Sequence, residues 1–280
     1  MHTVPFSHQP GTQCEVHILI RGADVRLALW AIKSFYTFSE VVWPLVWHQG
    51  GPIDRHDRDL LSRHFPNSRF VAEEAADSEV TYQLEKHKLK RCADARRRSV
   101  MMRKLLDCLL LSAAENVLLI DSDILFFRRP DELIHAGRSR LSRSLFNRDC
   151  SDWPYNLTPE AAKERHCLDL VPRLNAGLCL FRRESLPLTL IEEFLADPDI
   201  LSDPWWTEQT LHALLASRLG CDFLPETYML SFGPGMTTSA GQPLTAKHYA
   251  NFPRPFLYDE GMRELIERGF ISALSITRQP

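Results

Sequence analysis

Apolar and polar positions along this chain follow two alternating periods. Residues 16–20 (VHILI) form a short, nearly unbroken apolar run of the kind a buried strand requires. From Asp24 to Phe38 the apolar residues Leu27, Trp30, Ala31, Ile32 and Phe35 recur at helical spacing. Val41 to Trp47 reads as a second strand closed by Gly50-Gly51-Pro52, so the chain opens as a βαβ unit. Val100 to Ala114 carries a strong helical pattern that leads directly into an apolar strand at 117–120. This alternation predicts an α/β protein with a Rossmann-like, mostly parallel central sheet flanked by helices in a single large domain. Beyond residue 130 the pattern loosens, and the polar segment 147–169 predicts irregular chain or short helices. A strand at 178–181 (LCLF) is expected after a turn at Asn175-Ala176-Gly177, and a helix is expected to open at Asp203-Pro204 and end at Gly220. The segment 231–243, SFGPGMTTSAGQP, reads as a loop, either a surface connection or a mobile lid.

The chemistry concentrates where the strand at 117–120 ends, in Asp121-Ser122-Asp123. Residues i and i+2 of an extended chain point to the same side, so both carboxylates can approach one cation. Their oxygens suit Mg²⁺ or Mn²⁺. Ligands of open α/β sheets gather at the carboxyl ends of the strands, which is where this pair is expected. The alternative is a solvated strand end followed by a capped turn. Composition narrows the remaining choices. With 280 residues, 44% of them hydrophobic, the chain can bury a sizeable core, and a net charge of −3 gives no reason to expect non-specific nucleic-acid binding. Seven cysteines without a C-x-x-C pair argue against a disulfide framework or a zinc ribbon and suit a reducing cytoplasm. The N-terminal MHTVPFSHQP has no signal-peptide pattern, and no apolar run is long enough to span a bilayer. A basic run at 86–104 reads mainly as a solvated helix face, with an anionic acceptor or peripheral membrane contact as the alternative.

VLLIDSDILFFRRPDEL resembles the metal-binding segment of nucleotide-sugar glycosyltransferases with the GT-A fold, in which a D-x-D pair holds Mn²⁺ or Mg²⁺ against the donor diphosphate. Three later segments extend the likeness to glycosyltransferase family 8, of which the chain resembles a divergent relative. LNAGLCLFRRESL at 174–186 is similar to the N-A-G segment that contacts the donor sugar. Glu208-Gln209 stands where the family carries a D-Q pair, and His248-Tyr-Ala-Asn251-Phe-Pro-Arg254-Pro255-Phe256 matches the spacing of H-x-x-G-x-x-K-P-W. The resemblance implies a GT-A-like catalytic domain at 14–280 behind a tail at 1–13, with a nucleotide-binding half at 14–125 and a sugar and acceptor half at 126–280.

The resemblance also implies roles. Asp121, Asp123 and His248 would bind the metal, and Arg254 would meet the diphosphate with a charged fork. Lys104, or its neighbour Arg103, would face the nucleotide, and Ser122, Ala176 and Gly177 would line the donor. Asn175, Glu208 and Gln209 are expected at the reacting sugar. Asp24 either binds the ribose or caps the helix after it. The implied activity is transfer of a hexose from a nucleotide-diphosphate sugar, most simply a UDP-sugar, to an unknown glycan, lipid or protein acceptor with retention of configuration. Two alternatives stand beside it: a nucleotide-sugar-binding protein without activity, and a sugar nucleotidyltransferase. The latter usually has a Gly-rich basic loop near its start, which residues 16–30 lack.

Overall fold

In the computed structural model, which describes residues 13–250 and 254–270, the first apolar run forms strand β1 (Cys14–Ile20), buried along nearly its whole length. Helix α1 (Val25–Ser39) follows, and β2 (Leu45–Gln49) pairs in parallel with β1, Ile18 opposite Trp47. This second strand begins later than its apolar pattern predicts, because Tyr36 Oη donates to the Trp43 carbonyl at 2.7 Å and ties the approach to α1. Next come α2 (Arg55–His64), β3 (Arg69–Val71), α3 (Glu73–Lys86), α4 (Lys90–Arg98), α5 (Met101–Leu111) and β4 (Asn116–Ile120). The second half holds β5 (Ile124–Phe126), α6 (Asp131–Gly137), β6 (Ser144–Arg148), α7 (Pro159–His166), β7 (Leu174–Arg182) and α8 (Leu188–Phe194). It closes with α9 (Thr207–Leu219), β8 (Cys221–Phe223), β9 (Tyr228–Leu230), β10 (Ala246–His248) and α10 (Arg263–Glu267).

Seven strands form the main sheet in the order β3-β2-β1-β4-β7-β6-β8. The first four run parallel, β7 is antiparallel to both β4 and β6, and β8 is parallel to β6. Val117 and Leu119 of β4 enter one hydrophobic layer with α5 and α9, while Leu118 and Ile120 enter the other with α1. A strand covered on both faces needs apolar residues on both, which is why this segment reads as an unbroken run. A separate three-stranded sheet, β5-β10-β9, follows the aspartate pair.

Two expected boundaries move for identifiable reasons. Asn175-Ala176-Gly177 is not a turn but part of β7. Its register against β6 jumps from Phe146↔Cys179 to Asn147↔Asn175, so residues 176–178 bulge without partners on that side. On the other side Gly177 O accepts from Asp121 N at 2.8 Å, which keeps the strand continuous. Helix α9 starts at Thr207 because Asp203 first closes a turn, its side chain accepting from Trp205 N at 2.9 Å and its carbonyl from Trp206 N at 3.1 Å. Gly220 ends the helix with φ of +84°, a conformation in which a side chain would be strained.

A buried polar chain crosses the sheet away from the strand ends. Glu15 accepts from Ser112 Oγ and Ala113 N, both at 2.8 Å, and lies 3.3 Å from His17 Nε2. His17 Nδ1 meets His48 Nε2 at 2.8 Å, and Cys108 Sγ stands 3.7 Å from that same nitrogen. Burial pushes His48 well below the ordinary histidine range, His17 below it, and His64 down to about 4, so these rings fold uncharged. In the unfolded chain they take up protons below about pH 6.5. Stability should therefore fall as pH drops from 7.5 to 5, with a slope that approaches about 1.4 kcal/mol per pH unit below about pH 6.5 for each histidine that must charge. His248, whose range is raised, acts with the opposite sign but is outnumbered. Urea midpoints that stay constant across this interval would contradict the account.

Candidate active site

Beyond β4 the chain turns through Asp121-Ser122-Asp123 into β5, and β10 lies antiparallel to β5 with His248 opposite Ile124. This register brings an imidazole to the aspartate pair from the far end of the sequence. His248 Nε2 lies 3.1 Å from Asp123 Oδ1 and 4.0 Å from Asp121 Oδ2. The outer oxygens are engaged elsewhere: Lys104 Nζ is 2.8 Å from Asp121 Oδ1, and Arg254 Nε donates to Asp123 Oδ2 at 2.7 Å. Two carboxylate oxygens and one imidazole nitrogen thus face a common point, with all three donor atoms within 4.8 Å of one another. The set suits a hard or borderline divalent cation such as Mn²⁺ or Mg²⁺.

The surrounding hydrogen bonds orient the imidazole. His248 Nδ1 donates to Asn175 Oδ1 at 3.1 Å, which directs Nε2 toward the carboxylates. Asn175 is itself fixed, since its Nδ2 donates to Asp149 Oδ2 at 3.0 Å and to Gln209 Oε1 at 3.2 Å. Gly177 explains the bulge in β7. A Cβ there would overlap the His248 ring and come within 2.8 Å of Asp121 Oδ2, so only glycine lets the strand pass so close.

Electrostatics divide the two aspartates. Burial raises the Asp121 carboxyl above its usual range, helped by the Asp123 charge and only partly offset by Lys104 and His248. Burial also opposes charge on Asp123, but His248 and Arg254 outweigh it and hold that carboxyl down at about 2. The same carboxylates raise His248 against the effect of its burial. Lys104, buried at 3% exposure, is raised by Asp121 and Glu208 in spite of desolvation and remains a cation.

These groups form the floor of a cavity of about 580 Å³ that Arg21, Asp24 and Gly50 also line, together with the exposed rings of Trp205 and Phe232. Ser122, Asn175, Gly177, Glu208 and Gln209 also line it. Glu208 is buried on the inward face of α9, 3.8 Å from Lys104 Nζ and 3.2 Å from His212 Nε2, and these two neighbours lower its carboxyl against burial. Gln209 has its amide filled by protein: Oε1 accepts from Asn175 Nδ2 and Ala176 N, while Nε2 donates to Asp149 Oδ2 and the Pro154 carbonyl. Asp24, at the end of a short 3₁₀ turn, does not cap α1 with its side chain but accepts from Arg21 Nε at 3.1 Å.

Other expected site residues lie elsewhere. Arg103 turns away from the cavity to Glu73 at 2.9 Å, and Ala176, on the alternate face of β7, contributes only its backbone N–H to Gln209. Asn251 lies outside the described residues. The basic run resolves into two kinds of residue. Lys86, Lys88, Lys90, Arg91, Arg97 and Arg98 are exposed, whereas Arg96 is buried in a fork on Asp107 at 2.6 and 2.9 Å. Sequence reasoning missed Asp149, which gathers Asn175 and Gln209, and the rim aromatics Trp205 and Phe232. The adjacent tryptophans after Asp203-Pro204 were the available signal. The loop 231–243 is anchored near its start: Gly233 O and Gly235 O each accept from Lys247 Nζ at 2.9 Å, and Lys247 pairs with Glu260 at 2.7 Å.

No protein-family model matches the chain, and no curated protein matches its sequence. Solved structures do match its shape. Apo mouse xyloside xylosyltransferase 1 superposes with a TM-score of 0.53 at 11% identity, over 90% of this chain and 100% of that one. The galactosyltransferase LgtC, solved with donor and acceptor sugar analogs, gives 0.50 at 14% identity over 95% of this chain and 97% of LgtC. The bifunctional glycosyltransferase WbbM gives 0.56 at 11% identity, over 91% of this chain and 49% of WbbM. At such identities the likeness is one of fold. The chain has the GT-A glycosyltransferase fold in a single domain. Among the described residues no helix is long and apolar enough to cross a membrane.

Proposed function

We propose that this chain is a metal-dependent glycosyltransferase, a divergent relative of family 8, that moves a hexose from a UDP-sugar to an acceptor with retention. The observation that carries the reading is the convergence of Asp121, Asp123 and His248 at the strand ends, with Lys104 and Arg254 engaging the outer carboxylate oxygens. Mn²⁺ or Mg²⁺ held there would supply charge neutralisation to the departing nucleoside diphosphate.

The protein's own groups do the remaining work. Asn175 keeps the His248 lone pair aimed at the aspartates. Arg254, beside Asp123, meets the diphosphate with a permanently charged guanidinium, and Lys104 adds a second fixed cation beneath Asp121. Arg21 and Asp24, which line the cavity beyond the end of β1, would meet the nucleoside. Glu208 accepts hydrogen bonds from sugar hydroxyls. Gln209, with its amide already filled, holds Asn175 and Asp149 in position.

The test is calorimetric titration with UDP in the presence and absence of Mn²⁺, followed by an assay for hydrolysis of UDP-hexoses. Metal-dependent UDP binding with slow release of free sugar is expected. Binding without turnover across a panel of donors would favour an inactive binder, and absence of UDP binding would remove the reading.

A further inference from the structure

Seven large hydrophobic side chains are exposed among the described residues, and three of them, Val100, Trp205 and Phe232, stand on the rim of the cavity whose floor carries the aspartate pair. Trp205 is 59% exposed and Phe232 51%. Both rings sit on tethered chain. Trp205 N donates to Asp203 Oδ1 at 2.9 Å, and the next carbonyl back, Pro204 O, accepts from Ser99 Oγ at 2.8 Å. Phe232 lies between Ser231, whose N–H donates to His248 O at 3.3 Å, and Gly233, whose carbonyl accepts from Lys247. An indole and a phenyl ring held out in water gain little burial on folding, so their presence at one opening points to something that covers them there.

Charge narrows what that something is. The cations lining the cavity are Arg21, Lys104 and Arg254, and each already lies against a carboxylate, at 3.1, 2.8 and 2.7 Å. The carboxylates of Asp149 and Glu208 line it as well. With Lys104 and Arg254 assigned to the donor diphosphate and Arg21 paired with Asp24, a negatively charged acceptor would meet surplus acid and no base left for it. A neutral pyranose ring suits it better, because one ring face presents C–H groups that an aromatic surface covers while its hydroxyls turn toward carboxylates.

We propose that Trp205 and Phe232 form the acceptor subsite, and that the acceptor is an uncharged pyranoside presented by the C–H face of its terminal ring. The proposal rests on the glycosyltransferase reading for the word acceptor, but its test does not require turnover. Saturation-transfer NMR and titration of the full chain with methyl glucopyranoside and methyl galactopyranoside read pyranoside binding directly. Trp205→Ala and Phe232→Ala should each weaken it about tenfold or more, and Trp205→Tyr should recover most of the loss. Tyr258→Ala, which removes an exposed aromatic that does not line the cavity, should leave it unchanged.

UDP affinity with Mn²⁺, measured on the same samples, reports on the floor separately. Pyranoside binding that depends on both rings, in a protein that does not bind UDP, would keep the subsite and remove the glycosyltransferase reading. UDP binding with pyranoside affinity unaltered in both alanine variants would overturn the subsite alone. Tighter binding of methyl glucuronoside than of the neutral glycosides would overturn the choice of an uncharged acceptor, and binding of octyl glucoside through its chain alone would replace the ring by a lipid.

Discussion

Asp123→Asn is expected to lower UDP-sugar turnover by about 10³-fold while leaving the protein folded. The substitution keeps the shape of the side chain and removes the charge that both His248 and Arg254 face. Its effect on His248 can be read without any donor. Burial disfavours the charged ring, and Asp123 is the largest influence opposing that cost. With the charge gone, His248 should titrate at a lower pH, visible in the NMR shifts of its ring protons. Metal-dependent UDP affinity should fall in parallel. Undiminished affinity in Asp123→Asn would remove the D-x-D argument, whatever happened to the imidazole.

Lys104→Met should have the largest effect on stability, about 3–5 kcal/mol at neutral pH, because it leaves buried charge uncompensated. Lys104 is 3% exposed, and its ammonium lies 2.8 Å from Asp121 and 3.8 Å from Glu208. Methionine fills similar volume but provides no charge, so Asp121 and Glu208 would shift upward and take up protons more readily. The sign of the pH dependence follows. In the native protein Glu208 is held below its ordinary range, and its favourable contribution is lost only as pH falls through that lowered value. In the variant the penalty is largest where the carboxylates are ionised and shrinks toward pH 5 as they protonate. Chemical denaturation of both proteins at pH 7.5 and 5 measures the gap. A loss below 1 kcal/mol at pH 7.5 would mean that water, rather than Lys104, compensates these carboxylates.

The parts of this architecture legible in sequence are those where local pattern and tertiary environment agree. The strand at 117–120 is apolar on successive residues because it is covered on both faces, and the aspartates follow it because the strand ends there. His248 could be singled out only through its spacing to Arg254 and Pro255, since nothing local reveals that β10 pairs with β5. Arg103 and Lys104 looked equivalent as neighbours in a basic run. Tertiary partners separate them: Lys104 is buried against Asp121, whereas Arg103 is half-buried and pairs with Glu73. The N-A-G segment reads as a turn because Asn and Gly favour turns. Its bulge depends on the register of β6, to which the local sequence is blind. The adjacent Trp205 and Trp206 hint at the rim, but which aromatic residue stays exposed is a property of the assembled surface.

One row of residues crosses the small sheet: Ile124 of β5, His248 of β10 and Leu230 of β9 are paired side by side. Asp123 directly precedes the first and Ser231-Phe232 directly follows the last. Three short strands therefore work as a ruler, setting the distance between the floor and the rim independently of the chain between residues 231 and 245. Because β10 alternates faces, a slip of one residue would put the Lys247 ammonium where the imidazole belongs and destroy both the floor and the loop anchor. Within a correct register the side chains of the intervening loop can vary while its backbone carbonyls stay anchored on Lys247. Sequence change can thus re-specify what the mouth of the cavity accepts while the donor end keeps its geometry.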